Sequence, residues 1–212
     1  MNKAFIFDMD GVIVDSESIW ISYEEKFLTK LIGRSTYVEI RDELLGNSIS
    51  AIYKLAKKKG LKLTKKQFNN LYDQYAQKVY KEAPLIPNVW KLITKLLKSN
   101  FKLGLVSASR KISIDLVLKK LHFNPFGVVI STDAQNLHPK PYPDGFLKAM
   151  KVLNSDPEKT YILEDTPKGV LAARRSGAFT ICLLKDTLAS SKPSGADLYV
   201  KNINELITKL KL

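Results

Sequence analysis

The chain has 212 residues and is 45% hydrophobic, enough for one or two domains with a sizeable core. No apolar run approaches the roughly 18–20 residues of a membrane span, and acidic Asp8 and Asp10 interrupt the apolar stretch near the N-terminus where a signal core would lie. The net charge of +13, from 34 Lys and Arg against 21 Asp and Glu, would suit a polyanionic partner, yet the densest run (Lys54, Lys57, Lys58, Lys59, Lys62, Lys65, Lys66) has no interleaved aromatics and no nucleic-acid module around it, so a solvated lysine-rich face is expected. The one cysteine, Cys182, has no partner for an internal disulfide, which fits a reducing cytosol, and its strand-like setting makes it buried filler rather than a reactive thiol.

Residues 4–7 form an apolar run that ends in Asp8, Met9, Asp10 and Gly11, followed by Asp15 and Ser16. Such a run reads as a buried strand of a parallel sheet. If strand geometry continued through Asp10, the two carboxylates would share a side. An EF-hand loop needs a further acidic or amide ligand before its glycine and a closing Glu, neither of which is present.

From residue 15 to 83 the pattern is helical. Trp20, Tyr23, Phe27 and Leu31 form one stripe, ended by Gly33; Tyr37, Ile40 and Leu44 form a second, followed by Gly46. Ile49, Tyr53 and Ala56 form a third, stopped at Gly60, and Phe68, Leu71, Tyr72 and Tyr75 a fourth. These four helices precede the second strand, so residues 15–83 are expected to be an insertion into a domain made of residues 1–14 and 84–212, with Pro84 and Pro87 marking the return. The rhythm then alternates: helix from Val89 to Leu97, strand from Phe101 to Val106, helix from Ile112 to Leu121, strand from Gly127 to Ile130. A proline-rich loop with Lys140 leads to a helix from Phe146 to Leu153 and a strand from Thr160 to Leu163. Thr166 and Pro167 have the chemistry of an N-cap and a first helical residue, and Gly177 ends that helix. Strands at 179–184 and 197–200 and a last helix at 203–210 complete the chain.

This order predicts an α/β fold, a doubly wound parallel sheet with right-handed crossovers. Asp8 and Asp10, Ser107, and Glu164 with Asp165 each follow an apolar strand, and Lys140 follows another after a loop. Strands of a parallel sheet share a direction, so these groups gather at one edge, where such sheets bind ligands. Taken singly, Ser107 reads as a helix cap, Lys140 as a surface lysine and Glu164–Asp165 as a helix start; the joint placement is what singles them out.

Four carboxylates at one edge call for a cation, and hard oxygen donors without Cys or His at ligand spacing favour Mg²⁺. With a lysine and a serine hydroxyl, such a site could hold a phosphoryl group for attack by an ionised aspartate. No G-x-S-x-G elbow, Walker A loop or G-x-G-x-x-G is present, and His122 and His138 read as structural.

The chain resembles the haloacid dehalogenase superfamily, in its β-phosphoglucomutase-like branch. Four motifs carry the resemblance: Asp8–Val12 with Asp15 and Ser16, Leu105–Ser109, Lys140–Asp144, and Leu163–Thr166 with Gly169, Ala172 and Ala173. The resemblance implies a helical cap inserted after the first motif, closing over the substrate, and a Rossmann-like core. It implies Asp8 as nucleophile and Mg²⁺ ligand. Asp10 would be the acid and base, with its carbonyl on the metal. Ser107 and Lys140 would act on the phosphoryl oxygens, and Glu164 and Asp165 would join the metal. Gly11, Ala108, Gly46 and Asn47 would add phosphate and substrate contacts. The family also implies a small phosphorylated metabolite as substrate and a monomer as the working form.

Within the branch, sugar phosphomutases carry an arginine where this chain has Ile49 and a histidine near the position of Trp20. Without the guanidinium clamp a bisphosphate intermediate would be held less well, which favours a monophosphate hydrolase over a mutase. A phosphonate hydrolase would need one of the cap's many lysines to form a Schiff base, and the Asp8/Asp10 pair with Lys140 speaks against a non-catalytic protein.

Overall fold

The computed structural model describes residues 1–44, 49–133, 137–184 and 193–212. Gly46 and Asn47 lie outside the described residues. The chain divides into two compact units, Met1–Asp15 with Pro84–Leu212, and Ser16–Ala83.

Among the described residues of the first unit, six parallel strands form one sheet: β1 (Ala4–Phe7), β2 (Lys102–Ser107), β3 (Val128–Ser131), β4 (Thr160–Glu164), β5 (Phe179–Leu183) and β6 (Leu198–Val200). Their order is β3-β2-β1-β4-β5-β6, the doubly wound arrangement. β1 is central and fully buried because both faces of the sheet are covered. Its alternate residues Ala4 and Ile6 join Val106, Ile130 and Ile162 on one face, packed on Phe146, Ala149, Met150, Ala172 and Ala173. Phe5 and Phe7 turn the other way: Phe5 stacks on Tyr161 with ring centroids 6.3 Å apart, and Phe7 meets Phe126 edge-on at 5.9 Å. Cys182 is buried in β5, as its apolar neighbours predict.

Two helices of this unit fix the strands that matter below. The helix Asp144–Leu153 follows the Lys140 loop, and the helix Pro167–Arg175 follows β4, with the Thr166 side chain accepting from the Gly169 N–H as its cap. One boundary differs from the sequence pattern by more than two residues. The helix read as 112–121 runs Lys111–Leu118 and unwinds in a turn, since Lys120 and Leu121 bond to carbonyls only three residues back. β1 stops at Phe7: the Ile13 and Val14 N–H groups both return to the Met9 carbonyl, winding the chain into a tight turn directly after Asp8. The strand thus ends with the apolar run 4–7, and strand geometry does not continue through Asp10. Gly11 sits in that turn at φ 78°, a conformation that disfavours any side chain.

Among the described residues the second unit holds four helices: Glu17–Ile32, Arg34–Leu44, Ile49–Lys58 and Lys65–Glu82. Their apolar stripes meet in one core of Phe27, Leu28, Tyr37, Ile40, Leu44, Ile52, Ala56, Leu61, Phe68 and Tyr72. Gly33 at φ 83° ends the first helix. The fourth begins with a capping box, Thr64 and Gln67 each accepting from the other's backbone N–H. Among the described residues no helix is long and apolar enough to cross a membrane.

Candidate active site

β1 and β4 are neighbours where the strand order reverses, the position at which doubly wound sheets open a ligand crevice. Their register pairs Phe7 with Leu163, and the Asp8 N–H extends it by donating to the Leu163 carbonyl at 2.9 Å. The next residues along, Asp8 and Glu164, are thereby brought side by side, with Asp165 following. Among the described residues these three offer one carboxylate oxygen each within 4.8 Å of one another, and all three are buried. They are the set able to hold a metal ion. The Asp10 carboxylate is not in this set.

Lys140 completes the cluster. Its ammonium donates to both Asp8 Oδ1 and Glu164 Oε1, and its side chain is only 11% exposed. The loop carrying it is tied down by Arg175, whose Nη1 donates to the Pro141 carbonyl at 2.9 Å. Burial pushes the Asp8 carboxyl well above the usual carboxylate range. Lys140 opposes that shift, while Glu164, Asp165 and Asp10 reinforce it. For Lys140, burial alone would lower the pKa, but the two carboxylates outweigh it and raise the ammonium above its ordinary value. Lys140 therefore stays charged, and the gap between Asp8 and Glu164 already receives a cation.

Glu164 is held from its other side as well. Its Oε2 accepts from the N–H groups of Asp165 at 3.0 Å and Thr166 at 3.4 Å, and from the Thr166 hydroxyl at 3.2 Å. The helix after β4 leaves it no spare room: a Cβ added to Gly169 would fall 2.0 Å from the Glu164 carboxyl. Glycine at 169 is thus required by close approach.

A second group forms at the end of β2. Ser107 is buried, and its Oγ accepts from the Ser109 N–H at 2.9 Å. Ala108 between them is exposed. The Ser109 hydroxyl donates to Asp10 Oδ2 at 2.8 Å, and the Ser131 hydroxyl at the end of β3 donates to the Ser109 carbonyl at 2.8 Å. Sequence reasoning gave Ser109 no role; its signal is a second hydroxyl two residues past the strand-end serine. Thr166, the cap of the helix after β4, also bonds Glu164 through its N–H and hydroxyl. The histidines stay apart from the carboxylate cluster. His138 Nδ1 pairs with Asp144 Oδ2 at 2.9 Å and its hydrogen bonds hold the Asp144 carboxyl below the usual range, while exposed His122 packs edge-on against Trp90.

The arrangement offers a buried carboxylate beside a fixed ammonium, a three-carboxylate set of hard oxygen donors, a strand-end hydroxyl, and a second aspartate held through its own hydrogen bond. Together these can bind a dianionic group with a divalent cation and present a nucleophile to it.

A family model described as haloacid dehalogenase-like hydrolase matches residues 5–183. The chain is 29% identical to a β-phosphoglucomutase of Bacillus subtilis, covering 98% of this chain and 93% of that protein. It is 26% identical to (DL)-glycerol-3-phosphatase 2 of Arabidopsis thaliana, covering 93% and 86% respectively. The fold is shared with the crystal structure of CbbY from Rhodobacter sphaeroides in complex with phosphate, at a TM-score of 0.80 and 19% identity, with both chains covered in full.

Proposed function

We propose that this chain, which belongs to the haloacid dehalogenase-like hydrolase family, hydrolyses small phosphomonoesters with Mg²⁺ bound and an aspartyl phosphate on Asp8 as intermediate. The observation that supports this reading most is the sheet-edge cluster, in which Asp8 shares Lys140 with Glu164 and lies within ligand reach of Glu164 and Asp165.

The donor set fits Mg²⁺: three buried carboxylates, no sulfur or imidazole, and a gap that already accepts a lysine ammonium. Asp8, Glu164, Asp165 and the Asp10 carbonyl would hold the ion. When bound, Mg²⁺ would neutralise charge on the phosphoryl oxygens and on Asp8. An Asp8 carboxylate oxygen attacks phosphorus while Asp10 gives its proton to the departing alkoxide. Asp10 then takes a proton from the water that attacks the aspartyl phosphate, releasing inorganic phosphate and restoring Asp8. Lys140, Ser107 and the backbone at Ala108 and Gly11 hold the phosphoryl oxygens through both steps.

Residues 15–83 are assigned the role of a substrate-selecting cap, Gly46 and Asn47 included. A cytosolic monomer acting on a small phosphorylated metabolite completes the reading. Both (DL)-glycerol-3-phosphatase and phosphoglycolate phosphatase relatives support phosphate ester hydrolysis. The Bacillus subtilis relative favours a second reading, a sugar phosphomutase. Two side chains speak for the hydrolase. Ile49 packs on the core of the helical unit, and Trp20 stacks on Tyr72 at 5.0 Å, so neither supplies a guanidinium or an imidazole.

Phosphate release from a panel of phosphorylated metabolites, with Mg²⁺ and with EDTA, tests the proposal. Wild type should release phosphate only with Mg²⁺, and Asp8→Asn should lose at least about 10³-fold of that rate. No release from any compound, paired with isomerisation of a sugar phosphate on adding a bisphosphate, would move the assignment to the mutase.

A further inference from the structure

Three hydrogen bonds join the ends of β2 and β3 to Asp10. The Ser131 hydroxyl holds the Ser109 carbonyl at 2.8 Å, the Ser107 hydroxyl holds the Ser109 N–H at 2.9 Å, and the Ser109 hydroxyl donates to Asp10 Oδ2 at 2.8 Å. Ser109 is thus fixed at both ends of its own backbone before its side chain reaches the aspartate. Its anchors lie on adjacent strands, since Ser107 pairs with Ser131 in the β2–β3 register. β1 ends at Phe7, so Asp10 lies beyond that strand, at the start of the turn, and its backbone is bridged to Val14 rather than paired with β2 or β4. A carboxylate on a turn has rotamers to lose, and a fixed donor on one oxygen selects among them.

We infer that Ser109 is the positioning residue for Asp10, setting the plane of its carboxyl group so that Oδ1 delivers the proton to the leaving oxygen; this rests on the phosphatase reading above. In that step the Asp8 oxygen forms the new bond to phosphorus, the bond from phosphorus to the ester oxygen breaks, and the proton on Asp10 moves to that oxygen, leaving an alcohol and an Asp10 carboxylate. Ser109 itself exchanges no proton with substrate.

The test separates proton delivery from general damage by changing the leaving group. An alkyl phosphate needs a proton as its oxygen departs, whereas p-nitrophenyl phosphate expels a stabilised anion and needs little help. kcat/KM, which reports the steps through phosphoryl transfer, is measured on both compounds for wild type, Ser109→Ala and Ser109→Thr, using the alkyl phosphate that wild type cleaves best. Ser109→Ala should lose about tenfold or more on the alkyl phosphate and less than about twofold on p-nitrophenyl phosphate. Ser109→Thr, which keeps the hydroxyl, should recover most of the loss. Ser131→Ala, which releases the Ser109 carbonyl, should show the same leaving-group selectivity at smaller size, and it serves if Ser109→Ala does not fold. Equal losses on both compounds, or none, would overturn the positioning role while leaving the Mg²⁺ and Asp8 dependence of wild type in place. An inactive wild type would bring down the phosphatase reading and this one with it.

Discussion

At the carboxyl edge of the sheet, Asp8, Glu164 and Asp165 are buried together with Lys140 reaching two of them, whereas in the helical unit the interior is aromatic and aliphatic and the seven lysines between 54 and 66 all stand in solvent. Charge has opposite consequences in the two places. Buried charges are costly to desolvate and stay only because each has a partner, so removing one partner leaves the rest uncompensated. Solvated lysines cost little and stabilise little, and Lys59, which pairs with Glu39, is held by an exposed contact of that weak kind. The first region is specified side chain by side chain, while the second is specified by its stripes and caps.

Lys140→Met should break this contrast most severely. It leaves Asp8 and Glu164 buried without their ammonium, and a loss of about 3–5 kcal/mol is expected by denaturant titration in EDTA, together with loss of phosphate release. Gly169→Ala comes next. Its methyl group must displace the Glu164 carboxyl or the helix after β4, at about 1–3 kcal/mol, and calorimetry should register the fall although 169 carries no functional group.

The helical unit has one carboxyl that sharpens the comparison by behaving like the sheet edge on a smaller scale. Half-buried Glu24 is pushed by burial from 4.5 up to about 7. A raised folded-state pKa means that the neutral form is preferred on folding. Its contribution is complete below pH 4.5, fades as the pH climbs through 7, and is absent above. Glu24→Gln should therefore match wild type near pH 4 and exceed it at pH 8 by roughly 1–2 kcal/mol, the share left after partial solvent screening, as read from melting curves at the two pH values. Equal curves at pH 8 would remove the burial argument. The smallest effect belongs to Thr64→Ala, which deletes the capping box of the fourth helix for about 1 kcal/mol and should leave kcat on p-nitrophenyl phosphate unchanged.

The order of elements was readable because each strand is an apolar run bounded by turn residues and each helix of 16–83 carries a stripe closed by a glycine or a cap. The gathering at the sheet edge was readable for the same reason, since a polar residue directly after a buried parallel strand can only lie at that edge. Contacts across strands were less visible. Ser109 bonds a residue 99 positions away, and Glu164 meets Gly169 by helix approach, neither of which leaves a periodic trace. Gly11 apart, the turn after Asp8 leaves little trace in the sequence, because Met9, Val12, Ile13 and Val14 are as apolar as a strand, and the bonds back to the Met9 carbonyl define it.

The central claim is that Asp8 carries the phosphoryl group and Asp10 serves it. Acid quenching after mixing Asp10→Asn with p-nitrophenyl phosphate and Mg²⁺, followed by peptide mass spectrometry, reads this directly. Without its base the enzyme should accumulate phosphate on the peptide containing Asp8, with none in EDTA and none when Asp8 is also changed to Asn. Wild-type turnover with no adduct at Asp8 in Asp10→Asn, or an adduct on another residue, would contradict it.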